Sequence, residues 1–316
     1  MYNSEGTLRE LVARLERTLS GLSVPFEVLF VNDGSKDHSW DVICELAKEH
    51  DWVHRIDLMR NYGQHNALLC GIRAATHEII VTMDDDLQHL PEEIPKLLDK
   101  LTEGYDVVYG TPQEQVHGLG RNLASRLIKM ALRSAMGDET ARDITSFRAF
   151  RTQLRDAFNN YHSPYVSIDV LLSWATTRFA AARVRHQPRL AGASNYGFRQ
   201  LVSVALNLMT GFTALPLRIA TLMGFAFTSL GLIALAYVLL TYLIHGTTVP
   251  GFTFLASAIL VFSGAQLLVL GLIGEYLARV HFRTMDKPPY VIRLSPKGQT
   301  LAKMQEQSGL QAPDKP

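Results

Sequence analysis

From Ile219 to Gly274 the 316-residue chain has no Asp, Glu, Lys or Arg. A stretch of that length without charge is excluded from the ordinary surface of a water-soluble domain. The first two hundred or so residues, by contrast, mix charged and apolar side chains at globular density, so the two regions face different solvents. Cysteine is scarce as well. Cys44 and Cys70 are the only two; they have neither metal-ligand spacing nor the numbers for a disulfide framework, which points to a reduced cytosolic setting and two core thiols. Net charge is almost absent, +1 at pH 7, which argues against a general nucleic-acid binder. The opening residues Met1 to Gly6 lack the layout of a signal peptide.

The segment Glu78-Ile79-Ile80-Val81-Thr82-Met83-Asp84-Asp85-Asp86-Leu87-Gln88 runs a β-type apolar stretch straight into three carboxylates. A short buried strand delivers its last residues to the carboxyl edge of a parallel sheet, where α/β folds place ligands. Asp84 and Asp86 form a D-x-D pair, and Gln88 adds a third oxygen; such hard ligands suit Mg²⁺ or Mn²⁺. The same acids also fit a solvated turn, because Leu90-Pro91-Glu92-Glu93-Ile94-Pro95 reads as a helix start.

Other segments repeat the layout. Thr7 to Leu19 has Leu8, Leu11, Val12, Leu15 and Leu19 at helical spacing, and so predicts an amphipathic helix. Phe26 to Val31 reads as a strand ending at Asn32-Asp33-Gly34-Ser35, so Asp33 is either a ligand-facing carboxylate or the cap of a helix over Trp40 to His50. Val53 to Leu58 is a further strand, followed by the turn Arg60-Asn61-Tyr62-Gly63-Gln64-His65 and a helix from Asn66 to Ala75. Alternation of this kind predicts a doubly wound α/β domain with a mostly parallel sheet. Its ligand edge collects Asp33, Asn61, Gly63 and Asp84 to Gln88.

Tyr2-Asn3, Asn32-Asp33-Gly34-Ser35, Arg60 to His65, Asp84 to Gln88 with Pro91 to Pro95, and Gly104-Tyr105-Asp106-Val107-Val108 occur in that order. Together they resemble the family 2 glycosyltransferases of GT-A (Rossmann-like) fold, and within them the branch that uses polyprenyl phosphate. The resemblance covers Tyr2 to about Arg293. One departure is that the family has a strand ending in proline before the Tyr-Asn pair, so the first sheet strand is expected to be missing here.

The resemblance implies roles for named residues. Tyr2, Asn3, Glu5, Asp33, Asn61, Gly63, Asp84 and Asp85 would contact the nucleotide-sugar donor, a UDP- or GDP-sugar. Asp84, Asp86 and Gln88 would hold Mg²⁺ or Mn²⁺. Asp143-Ile144-Thr145-Ser146-Phe147-Arg148 resembles a second acidic motif that places Asp143 and Arg148 beside the donor sugar and diphosphate, with Asp86, Asp143 and Arg148 as the catalytic set. Arg189, Gly192 and Ser194 match an R-x-x-G-x-S segment that closes over the donor. The helix Gly118 to Met136 carries Arg121 and Arg126, implied to hold the lipid acceptor's phosphate; a solvated basic face near an anionic membrane stands as the alternative.

Phe198 to Phe212 keeps one apolar helical face, which fits an interfacial helix or one packed on the domain core. Ile219 to Ile244 and Phe252 to Gly274 each exceed the ~20 residues needed to cross ~30 Å of hydrocarbon. The link around Thr247 lacks Lys and Arg, whereas Arg218, Arg279, Arg283, Lys287 and Arg293 flank the pair, so both ends are expected in the cytosol. The organisation expected is a catalytic domain over 1–197, a juxtamembrane helix over 198–215, two transmembrane helices within 216–280 and a tail over 281–316. This predicts a multi-pass enzyme of the bacterial inner membrane, an inverting glycosyltransferase that moves a sugar to polyprenyl phosphate, with room for a homo-oligomer. Two alternatives remain. A processive polysaccharide synthase would carry a Q-x-x-R-W motif, and none of Trp40, Trp52 or Trp174 lies in one; an inactive membrane adaptor would retain the fold alone.

Overall fold

The computed structural model describes residues 1–113, 143–163, 165–187, 215–245, 251–285 and 287–293. Within the last two helices, side chains are described at only some positions. The first half alternates as the sequence predicts: α1 (Leu8–Ser20), β1 (Val28–Asn32), α2 (Ser39–Glu49), β2 (Val53–Asp57), α3 (Gln64–Ala74) and β3 (Ile79–Thr82). A 3₁₀ turn over Pro91–Glu93 leads into α4 (Ile94–Thr102) and β4 (Val107–Pro112). Beyond residue 142 come β5 (Arg148–Arg151), a 3₁₀ turn over Thr152–Phe158, α5 (Ile168–Ala175) and β6 (Phe179–Val184). Two long helices follow, α6 (Leu215–His245) and α7 (Phe252–Thr284).

The expectation of one mostly parallel sheet needs correcting. Strands β1 and β2 pair in parallel as a two-stranded sheet, and the other four form a second sheet in the order β3-β5-β4-β6. In it β5 runs antiparallel to both β3 and β4, while β4 and β6 are parallel. Strand β5 lies between β3 and β4 and runs against both. No strand bridges β1 and β3 among the described residues. Met1 alone runs beside β1: its amino group donates to Val31 O at 2.9 Å, and its carbonyl accepts Asp33 N–H at 3.0 Å.

One apolar core nevertheless joins the two sheets. Leu8, Leu11, Val12 and Leu15 of α1 pack with Phe30, Val53, Leu97, Val108, Ala149 and Val184, burying the face that the 3.6-residue spacing marked out. Arg14 of α1 clamps Glu92 through Nε and Nη2 at 2.9 and 2.7 Å, and this bond holds the Glu92 carboxyl below its ordinary value. For the adjacent Glu93, burial works to raise the carboxyl, but bonds from Lys96 and Arg185 outweigh it and leave it lowered too. Both groups therefore bind protons less readily folded than unfolded. Their stabilisation is complete above the ordinary carboxylate pKa and is lost as pH falls through the folded value. Thermal melts at pH 7 and about pH 4 are expected to show a lower midpoint in acid, with the difference narrowed by Glu93→Gln. An equal difference in the variant would remove Glu93 from the account.

Residues 287–293 return to the α/β domain: Met59 N–H donates to Val291 O at 2.9 Å, Arg293 N–H to Asp57 O at 2.7 Å, and Leu58 bridges Ile292. Arg293 also pairs with the Asp57 carboxylate at 3.0 Å, and Tyr290 lies under the Arg73 guanidinium at 5.9 Å. This segment covers the outer edge of the chain where β2 ends, at Asp57 to Met59, pairing backbone groups that an open edge would leave bare. Residues 294–316 lie outside the described residues.

Helices α6 and α7 are 31 and 33 residues long, and they contain both stretches expected to span a membrane. Phe225, Ile233, Tyr237, Leu243, Leu267 and Leu277 on them are exposed. Among the described residues alone, whose side chains are interrupted along both helices, no helix is long and apolar enough to cross a membrane.

Candidate active site

Strands β1 and β3 both end in acids. Asp33, 4% exposed, accepts the backbone N–H groups of Tyr62 at 2.6 Å and Gly63 at 2.9 Å. Burial pushes its carboxyl up, and these two donors act the other way. The turn they hold has no slack: Gly63 has φ +94°, and a Cβ on Gly34 would stand 2.7 Å from Asn61 N. Glycine at 34 thus lets the Asn32–Ser35 turn lie against the backbone of the 60–63 loop. The next residue along, Gln64, donates Nε2–H to Asp84 Oδ1 at 2.7 Å, and Ser146 Oγ donates to Asp84 Oδ2 at 2.5 Å. Asp33, the Tyr62–Gln64 turn, Asp84 and Ser146 therefore form one hydrogen-bonded line across the edge.

The three acids point to different partners. Asp85 turns to the N-terminal segment, accepting Ser4 Oγ–H at 2.6 Å and lying 4.0 Å from the Met1 amino group. Asp86 Oδ1 accepts Gln88 N–H at 3.1 Å. Between them and the helix, Leu87 adopts φ +60°, a backbone state uncommon for a branched apolar residue and one that concentrates at functional sites. Gln187 N–H donates to Gln88 O at 3.0 Å, and His186 bridges His89, so the segment entering the expected lid crosses directly over the acidic loop. Asn3 Oδ1 accepts Lys36 N–H at 2.8 Å, and Glu5 Oε2 accepts His38 N–H at 2.9 Å. Both, with the exposed Tyr2, line the Asn32–Ser39 side of the edge; Asn61 is exposed beside them.

Arg148 lies in the domain interior. It is 1% exposed, with Nη1 bonded to Asp169 and Nε donating to Thr82 Oγ1 at 3.1 Å. Tyr109 Oη donates to the same Asp169 oxygen at 3.0 Å. Burial works against the Arg148 charge, but Asp169 outweighs it and raises the pKa, so the guanidinium stays protonated. The arginine is thus held in the domain interior; a fully buried guanidinium has to be paired, and Asp169 is the partner in reach. His65, kept neutral by burial, accepts Ile168 N–H at 3.3 Å and so fixes the start of the helix bearing Asp169. Asp143 is half-buried at the head of the segment leading to Ser146. Arg121, Arg126, Arg189 and Ser194 lie outside the described residues.

Sequence reasoning left Ser146 and Gln64 without a role, although both stand inside motifs it used. It missed Asp169 and His89 altogether. His89 follows Gln88 directly, which was signal enough; Asp169 carries no local signal. Among the described residues, no three His, Cys, Asp or Glu side chains already stand as a metal cage. The residues present still fit a divalent ion: Asp84, Asp86 and Gln88 offer hard oxygens on one loop, and a buried imidazole nitrogen of His89 facing Asp84 has no hydrogen-bond partner.

The family model for glycosyl transferase family 2 matches residues 1–160, and that for the GtrB C-terminal hairpin matches residues 215–280. Undecaprenyl-phosphate 4-deoxy-4-formamido-L-arabinose transferase of Shewanella sediminis is 34% identical over 93% of this chain and 89% of its own length. The protein of that name from Klebsiella pneumoniae strain 342 is 32% identical over 98% of this chain and 95% of its own. The chain belongs to glycosyl transferase family 2. It is a glycosyltransferase, and its α/β domain has the GT-A fold of that family. Mannosyl-3-phosphoglycerate synthase from Rubrobacter xylanophilus shares this fold at 14% identity and a TM-score of 0.50, over 66% of this chain and 69% of that one. In this family 2 enzyme the hairpin model coincides with α6 and most of α7.

Proposed function

We infer that this glycosyltransferase moves a sugar from a nucleotide-diphosphate donor to a polyprenyl phosphate at the cytosolic face of the bacterial inner membrane. The observation that carries the reading is that α6 and α7, free of charge from Ile219 to Gly274, are followed by a Tyr290–Arg293 segment that packs on the acid-lined domain. A 31-residue helix is about 46 Å long, more than the ~30 Å of hydrocarbon it has to cross. Two crossings return the chain to the side it left, where the cationic flanks Arg218, Lys287 and Arg293 also belong. A long-chain isoprenoid phosphate is the acceptor such an arrangement suits, because its tail stays in lipid while its phosphate reaches the domain.

The chemistry then needs little from a base. A phosphate monoester is already anionic near pH 7, so an acceptor oxygen attacks the anomeric carbon as the bond to the donor's diphosphate oxygen breaks, with inversion. Positioning and charge supply the rate. A bound Mg²⁺ or Mn²⁺ would neutralise the departing diphosphate, held by Asp84, Asp86 and Gln88. Asp33, Tyr2, Asn3, Glu5, Asn61, Gly63 and Asp85 would shape the nucleotide side. Asp143 would orient the sugar, Arg189 and Ser194 would close over it, and Arg121 and Arg126 would take the acceptor phosphate.

The relatives' names put a nucleotide-linked 4-deoxy-4-formamido-L-arabinose first in the donor panel. The deciding experiment incubates the purified full chain with labelled UDP- and GDP-sugars, undecaprenyl phosphate and Mn²⁺. A labelled lipid product that requires the phosphate acceptor and disappears with EDTA is expected. Donor hydrolysis with no lipid product would overturn the acceptor assignment, and transfer unaffected by EDTA would overturn the metal.

A further inference from the structure

His89 is buried beside the acids with one ring nitrogen left without a hydrogen bond. Its side chain is 8% exposed, and Nδ1 has no hydrogen-bond partner. Leaving a buried nitrogen unsatisfied costs on the order of 1–3 kcal/mol, so the position calls for an explanation. The ring is not loose. It stacks on Phe147 at 5.3 Å between centroids and meets His186 edge-on at 5.1 Å. Phe147 is itself fully buried, and a Cβ on Gly110 would stand 2.6 Å from its Cδ1, so that ring has no room to retreat. The packing therefore aims Nδ1 in a fixed direction, towards Asp84 Oδ2 at 3.8 Å. That separation is too long for a hydrogen bond. Neighbouring ligands at about 2.1 Å from one octahedral ion stand about 3.0 Å apart, so an ion bound between the two groups would draw them together by less than about 1 Å.

We propose that His89 Nδ1 is a further ligand of the divalent ion held by Asp84, Asp86 and Gln88, so that the site is mixed nitrogen and oxygen rather than oxygen alone. The assignment rests on the reading of these acids as a metal site. It adds a consequence for selectivity. Mg²⁺ takes oxygen ligands and keeps its waters, whereas a transition ion accepts imidazole readily, so the site favours Mn²⁺.

Electron spin resonance on the detergent-purified full chain, with Mn²⁺ as the only added ligand, tests this without any turnover. Wild type is expected to bind Mn²⁺ and to show spin-echo modulation from a directly bound nitrogen, altered by ¹⁵N-histidine labelling. His89→Phe keeps a ring against Phe147 and removes both nitrogens. It should abolish the modulation, weaken Mn²⁺ binding at least about tenfold, the lower end of what even an outer-shell partner costs, and shrink the preference over Mg²⁺. His186→Ala should retain the modulation, and it decides the matter if His89→Phe fails to fold. Wild type that binds no Mn²⁺ would sink the metal reading itself. Binding without nitrogen modulation, or modulation that survives His89→Phe or is lost in His186→Ala, would overturn the role of His89 while leaving that reading intact.

Discussion

Asp86→Asn is expected to lower sugar transfer by at least about 10²–10³-fold, the loss seen when one electrostatic stabiliser of a transition state is removed, with the fold intact. The substitution is unusually clean here. Asp86 Oδ1 accepts Gln88 N–H, and asparagine keeps a carbonyl oxygen for that bond, so the loop's own cap survives. Only the second oxygen changes, from an anionic donor to an NH₂ that cannot bind a cation. Asp85→Ala should behave in the opposite way. Its carboxylate faces Ser4 and Met1, so its removal should loosen the N-terminal segment, costing about 1–3 kcal/mol of stability, and slow transfer far less. Initial rates with saturating Mn²⁺, set beside thermal midpoints, check both. Equal losses of activity in the two variants would mean that the acids act in a different register.

Arg148→Ala is expected to destabilise the α/β domain by about 3–5 kcal/mol, the cost of stripping one partner from a buried ion pair. What remains is Asp169, 6% exposed, with the Tyr109 hydroxyl bonded to its carboxylate. The cost comes from the abandoned charge rather than from the worth of the bond, so replacing both partners should recover most of it. Arg148→Met with Asp169→Leu should therefore melt near wild type in denaturant titrations that the single variant fails. If Arg148→Ala is as stable as wild type and instead raises the donor KM, the arginine faces the diphosphate after all.

Which parts could be read from the chain follows from how far each residue's partner lies. The face of α1 was legible because Leu8, Leu11, Val12 and Leu15 declare it among themselves, and the acids of the site because an apolar strand of four or five residues hands each one to the sheet edge. Strand β5 was not. The resemblance implied a place for Arg148 beside the donor, and the Asp169 that pairs with it in the interior comes 21 positions later in α5. His89 was passed over because a histidine next to a helix start is unremarkable until its neighbours are seen to offer Nδ1 no bond. The return of Tyr290 to Arg293 was hidden by distance: its partners are Asp57, Leu58 and Met59, more than two hundred residues earlier, and a short apolar run behind a basic helix end carries no hint of them.

That return changes what kind of object the hairpin is. A tail could be swapped at a single junction, by one gene fusion or one cut. Here α6 and α7 are an insertion, flanked on one side by the domain's main body and on the other by the strip that seals β2. Exchanging α6 and α7 therefore requires two junctions, the second of which has to keep Val291 and Arg293 in register with Met59 and Asp57.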